Sequence, residues 1–159
     1  TAIIGPVVSN IQFEKVQKLI QIGIDEGAKL LSGGIGKPNG LKEGYYIKPT
    51  IFGEVNNNMK IAKEEIFGPV LSIIPYKNIE DAIFIANDTE YGLAAYICGK
   101  DREKLNFIAR KLRAGQIHIN YSSGGAYAPF GGYKQSGNGR EKEKWGLEEF
   151  IEVKAILGN

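Results

Sequence analysis

Few residues in this chain can do chemistry, and their neighbours constrain them. Cys98 is the single thiol and His118 the single imidazole. A thiol nucleophile needs a base or cation to favour its thiolate. Cys98 lies between Ile97 and Gly99 in an apolar run with no base beside it, so it reads as a small core residue. His118 alternates with Ile117 and Ile119 and therefore faces the opposite side of an extended strand, as a surface or hydrogen-bonded histidine. One Cys and one His are too few for a zinc-finger type of site, and no metal site is expected.

Two glycine-rich stretches invite a phosphate-binding reading. In Gly33-Gly34-Ile35-Gly36-Lys37 the next residue is Pro38 rather than Ser or Thr, and the P-loop spacing is absent. Gly137-Asn138-Gly139 lacks the third glycine of a dinucleotide fingerprint, and no strand leads into it. The segment Lys63-Glu64-Glu65-Ile66-Phe67-Gly68-Pro69 is different. An aromatic, a Gly and a Pro after paired carboxylates fix a sharp turn. A carboxylate held there can accept two hydrogen bonds from a vicinal diol such as a ribose. The same residues also read as a solvated charge cluster at a helix end.

The elements that must position these residues follow from pattern. Ser9 and Gln12 have capping-box spacing, and Phe13, Val16, Ile20 and Ile24 share one face of a helix ending at Glu26-Gly27. Ala28 to Leu31 is a short strand, and 32–44 a glycine-rich loop. Tyr46 to Val55 is extended, with Pro49 arguing against a central strand. No clean period marks 59–69, and Val70 to Tyr76 is a β-branched strand. Asn78 starts a helix with Ile79, Ala82, Ile83 and Ala86 on one face, and Leu93 to Cys98 reads as a buried strand. Asp101 caps a second helix carrying Leu105, Ile108, Ala109 and Leu112, stopped by Gly115, and Gln116 to Asn120 is a strand. This alternation predicts an α/β fold, a mostly parallel sheet with βαβ crossovers. The pattern fails between Tyr121 and Gly139. A helix follows over Glu141 to Glu149, and a last strand over Phe150 to Leu157.

Composition bounds the partners. The 159 residues carry a net charge of +2, too balanced for a protein built around nucleic-acid phosphates, and no apolar run is long enough to span a bilayer. Gly is the outlier at 21 residues, which demands turns or close backbone approaches. No signal-peptide pattern opens the chain, and its lone cysteine cannot form an internal disulfide, so a cytoplasmic location is expected. The start at Thr1, with Met59 the single methionine, suggests a processed start or a piece of something longer.

Several longer motifs, in order, cover essentially the whole chain. Ala62-Lys63-Glu64-Glu65-Ile66-Phe67-Gly68-Pro69-Val70 resembles a signature of the NAD(P)-dependent aldehyde dehydrogenase superfamily. So does Pro129-Phe130-Gly131-Gly132-Tyr133-Lys134-Gln135-Ser136-Gly137, running on to Gly139-Arg140-Glu141. Gly44 to Thr50, Ala86 to Ala94 and Phe150 to Lys154 are similar to the family in the same order. The resemblance implies oxidation of a small-molecule aldehyde to a carboxylic acid. In the family a Cys thiolate attacks to give a thiohemiacetal, hydride passes to the nicotinamide of NAD or NADP, and a Glu-activated water hydrolyses the thioester.

By the same resemblance Glu65 would hydrogen-bond the nicotinamide ribose. Phe67 would pack beside the nicotinamide, Leu93 would touch it, and Phe130 would wall the aldehyde pocket. Residues 1–149 would form the C-terminal portion of the catalytic domain and 150–159 an oligomerisation strand, giving a homo-oligomer, a dimer or tetramer. The catalytic Cys and base would lie upstream of Thr1. No catalytic residue is therefore assigned within the chain, Cys98 included, and 1–159 alone is expected to be inactive. A natural short module acting through subunit association is the alternative.

Overall fold

A computed structural model describes residues 4–158. The chain forms two compact units, Thr1–Tyr76 and Lys77–Asn159. The first is built on helix α1 (Asn10–Asp25). The Ser9 hydroxyl accepts the Gln12 amide N–H at 3.2 Å, satisfying a free donor of the first turn. Val16, Leu19, Ile20 and Gly23 are its buried residues. The buried stripe is thus turned slightly from the expected one: Leu19 points inward and Ile24 is exposed.

Strands β1 (Lys29–Ser32), β2 (Thr50–Gly53) and β3 (Val70–Ser72) form one sheet in the order β1-β2-β3. β1 and β2 are antiparallel, β2 and β3 parallel. Phe52 and Val55 pack with Val16 and Ile20 of α1, together with Ile61 of the short helix α2 (Lys60–Lys63) and Ile66. Here the expectation from Pro49 is overturned, because β2 is the central strand. Pro49 lies immediately before it, where no ladder donor is needed. The Thr50 N–H then donates to the Pro69 carbonyl at 2.9 Å.

The second unit contains α3 (Ile79–Asn87), β4 (Ala94–Ile97), α4 (Arg102–Lys111), β5 (Gln116–Ile119) and α5 (Glu143–Glu148), with a 3-10 turn at Lys134–Ser136. β4 and β5 pair in parallel, Ala94 opposite Gln116 and Ile97 opposite Ile119, with α4 as the connection between them. This is the predicted βαβ crossover. The wider expectation of a mostly parallel sheet is corrected, since β3 pairs within the first unit and the sheets are small and mixed.

Two further expectations change for one reason. Among the described residues β4 has a single strand neighbour, so its outward positions stay exposed, and Cys98 with them. Cys98 is therefore not a core residue. Phe150 to Leu157 carries no strand, and Phe150, Val153, Ile156 and Leu157 are almost fully exposed. A strand exists only through ladder hydrogen bonds, and no described residue supplies them.

Asp101 caps α4 as its spacing predicts, accepting the Glu103 and Lys104 N–H groups at 3.1 Å. The bond from Lys104, more than any other influence, holds the Asp101 carboxyl below the ordinary carboxylate value. Its contribution is therefore complete above the unfolded pKa and is lost as pH falls through the lower folded one. Asp101→Asn, which caps without charge, is expected to flatten this part of the acid unfolding curve followed by circular dichroism. An unchanged curve would contradict the assignment.

Candidate functional site

The turn at 64–68 joins α2 to β3. Glu64 takes the charge-cluster role, pairing with Lys15 at 3.5 Å and Lys60 at 3.6 Å. Glu65 is exposed, Ile66 is buried in the core, and Phe67 is 71% exposed. The alternation is forced: Ile66 anchors the turn inward, which sends both neighbours outward. Phe67 sits at φ +56°, a left-handed conformation that costs about 1–2 kcal/mol in a non-glycine residue. The surroundings must hold it there. A Cβ on Gly68 would stand 2.8 Å from a methyl of the buried Val16, so a larger residue there would force that side chain to shift.

Helix α1 supplies what holds the turn. The Lys15 ammonium donates to the Glu65 carbonyl at 3.1 Å, and the Gln12 side-chain amide donates to the Ile66 and Phe67 carbonyls, each at 3.0 Å. Three consecutive carbonyls are thus bound by two side chains one turn apart. Glu65 is left as an acceptor pair beside an open aromatic ring. A vicinal diol fits the first and a flat heterocycle the second.

In the second unit, Leu93 and Phe130 line one cavity of about 760 Å³ with Arg140, Glu141 and Phe150 among the other walls. Gly92 fixes the approach to Leu93: its N–H donates to the Ser136 hydroxyl, and its carbonyl accepts from Gly115 and Tyr133. Phe130 forms a two-bond antiparallel bridge with Glu141, at 3.0 and 2.7 Å. One guanidinium nitrogen of Arg140 donates to the Gly132, Asn138 and Gly139 carbonyls at 2.8–3.0 Å, and the group stands over the Tyr133 ring. The Lys134 ammonium binds the Asn87 and Thr89 carbonyls at 2.8 and 2.9 Å. Residues 130–139 are therefore tied down by backbone bonds and long cations more than by regular structure.

The four expected residues thus fall in two pairs, Glu65 with Phe67 on one turn and Leu93 with Phe130 on one cavity. His118 stacks on Tyr96 at 4.6 Å, and its Nδ1 lies 2.7 Å from the Ser122 carbonyl, a structural role.

The aldehyde dehydrogenase family profile matches residues 1–156. The chain belongs to the aldehyde dehydrogenase family. A Staphylococcus haemolyticus relative whose name places it in that family is 57% identical over 155 residues, 98% of this chain and 33% of the relative. Aldehyde dehydrogenase C of Pseudomonas syringae, solved as a mutant with NAD+ and octanal, is 52% identical. It superposes with a TM-score of 0.94 over 98% of this chain and 32% of its own. A Mycobacterium tuberculosis aldehyde dehydrogenase solved with NAD+ is 50% identical, with a TM-score of 0.89 over 92% of this chain and 30% of its own. The chain spans about a third of the length of the relatives it matches.

Sequence reasoning did not assign Gln12, Lys15, Arg140 or Lys134. A signal existed for Arg140. Many glycines leave carbonyls without side chains to shelter them, and a long cation among them is a ready donor. Lys134 reaches carbonyls 45 and 47 residues away, which its neighbours do not announce. Gln12 gave no such signal, since its spacing from Ser9 already had a local explanation.

Proposed function

We propose that this chain is the part of an NAD(P)-dependent aldehyde dehydrogenase that holds the nicotinamide ribose and walls the aldehyde pocket. The observation that carries the reading is the turn at 65–67. A carboxylate and an aromatic ring, adjacent and exposed, stand on a backbone fixed by Gln12 and Lys15. The Pseudomonas syringae and Mycobacterium tuberculosis structures described above, each determined with NAD+, support it.

Each residue then has a task. Glu65 accepts both ribose hydroxyls, which orients the ribose without any change of protonation. Phe67 offers its ring face as a platform for the heterocycle. Leu93 contributes apolar contact to it, and Phe130 walls the pocket and keeps water from the aldehyde carbon. NAD or NADP, when bound, supplies the hydride acceptor. The nucleophile and base come from outside this chain. Cys98 is exposed and follows β4, and takes no part.

A specific observation favours a second reading, a module acting through subunit association: the apolar side chains of 150–157 are exposed and unpaired. In the first reading the same segment pairs with another subunit in a dimer or tetramer. Among the described residues no helix is long and apolar enough to cross a membrane.

An aldehyde oxidation assay separates the readings. The full-length protein carrying this chain is expected to reduce NAD+ or NADP+ with an aldehyde, and Cys98→Ala is expected to leave the rate unchanged. The 159-residue chain alone is expected to give none. Turnover by 1–159 that disappears with Cys98→Ala would place the nucleophile here and overturn the assignment. Failure of the full-length protein with either cofactor would favour the association module.

A further inference from the structure

Gln12 stands where a capping box would put a side chain that returns to the backbone N–H of residue 9. It does not return. Its carboxamide leaves the helix and crosses to a segment 54 residues away, where one nitrogen donates to two successive carbonyls, Ile66 and Phe67. Its own backbone is fixed from behind by the Ser9 hydroxyl. The carbonyl of Phe67, the left-handed residue, is therefore bound by a group that is itself held at both ends.

From this geometry we propose that Gln12 is a positioning residue for cofactor binding. Its amide keeps Phe67 left-handed, and so keeps the Glu65 carboxylate and the Phe67 ring aimed at one ligand. The proposal rests on reading the 65–67 turn as the nicotinamide-ribose contact. Lys15, which holds the Glu65 carbonyl, shares the task, but its ammonium is partly engaged by Glu64. Among the described residues only Gln12 binds the two carbonyls that flank the φ reversal. Without it, those carbonyls turn to water, and the turn relaxes towards the right-handed conformations that Phe prefers. The ring and carboxylate would then diverge.

The test uses the full-length protein carrying this chain and steady-state kinetics with NAD+. Gln12→Leu keeps the bulk and removes the donor. It is expected to raise the KM for NAD+ about tenfold, while kcat changes much less, because the loss falls on orienting a ligand rather than on the reacting atoms. Gln12→Glu puts an acceptor against two carbonyls and is expected to be worse. Gln12→Asn keeps an amide one methylene too short. It should behave like Gln12→Leu, and serves in its place if the Leu variant does not fold.

Gln21→Gly weakens the last turns of α1, where the Gln21 side chain bonds Asp25, and leaves Ser9 and the Gln12 amide in place. Its KM should match the parent's. An equal rise in Gln21→Gly would show that helix stability alone is being read, and would overturn the proposal. Glu65→Gln separates the two levels. If it raises KM and Gln12→Leu does not, the positioning role falls while the cofactor reading stands. If Glu65→Gln also leaves KM unchanged, the cofactor reading falls and takes this proposal with it. Combining Gln12→Leu with Glu65→Gln should give less than the product of the separate effects, since both act through one contact.

Discussion

Gly115→Ala is expected to destabilise the second unit by about 3 kcal/mol or more, lowering its melting temperature by about 12 °C or more. Gly115 lies between the end of α4 and β5, and its N–H donates to the Gly92 carbonyl at 2.9 Å. A Cβ there would overlap the Gly131 carbonyl oxygen and stand 2.7 Å from the carbon of the same group. These are backbone atoms, so no rotamer change relieves the clash. One of two chain segments has to move, and both lead to the cavity. Residue 131 follows Phe130, and the Gly92 carbonyl that Gly115 binds precedes Leu93. The substitution should therefore disturb both the stability and the aldehyde wall. Gly125→Ala is the matched control. It lies in the irregular stretch that also holds Gly131, with nothing within 4 Å of a new Cβ, and should melt within about 1 °C of the parent. Equal melting temperatures for the two variants would mean that the approach of 115 to 131 is looser than described.

The second large effect is functional. Glu65→Gln in the full-length protein is expected to raise the KM for NAD+ by about 10- to 100-fold. The carboxylate offers two charged acceptor oxygens to a diol, whereas the carboxamide offers one neutral acceptor. A hydrogen bond to a charged group is worth about 1.5–3 kcal/mol, and each 1.4 kcal/mol is tenfold in affinity. Glu64→Gln is the informative neighbour. Glu64 pairs with Lys15 and Lys60 at partly exposed positions, where such pairs contribute about 0–1 kcal/mol. The change at 64 should therefore move KM by less than about fivefold. Adjacent glutamates with the same composition and opposite consequences would be hard to explain by general electrostatics. If Glu64→Gln were the damaging change, the roles assigned to the pair would be reversed.

What could be read from sequence divides along the reach of the forces involved. The caps at Ser9, Asn78 and Asp101 are legible because each side chain bonds an amide two or three residues away. Helix α4 and its parallel strands are legible because a single crossover brings β4 and β5 together. Pro49 misleads because proline's penalty applies inside a ladder, whereas here it stands one residue before the central strand. Cys98 misleads because an apolar sequence encodes a preference for burial and not the partner that provides it. It is exposed in this chain.

The candidate site shows the same division. Glu65, Phe67, Leu93 and Phe130 stand out through motif resemblance; physical reasoning alone leaves the paired glutamates open between a diol contact and a charge cluster. In the structure Glu64 pairs with Lys15 and Lys60, and Glu65 is exposed. The long side chains behind them, Gln12 and Arg140, bind carbonyls of segments that sequence spacing does not bring near, or that glycine-rich sequence leaves undefined.

The central claim is that the 65–67 turn grips the nicotinamide ribose. The most direct measurement is a crystal structure of the full-length protein with NAD+. The expected result is both ribose hydroxyls within about 3 Å of the Glu65 carboxylate oxygens, with the Phe67 ring against the nicotinamide and Phe67 still left-handed. A ribose bound elsewhere, with Glu65 hydrated and Phe67 clear of the ring, would contradict it.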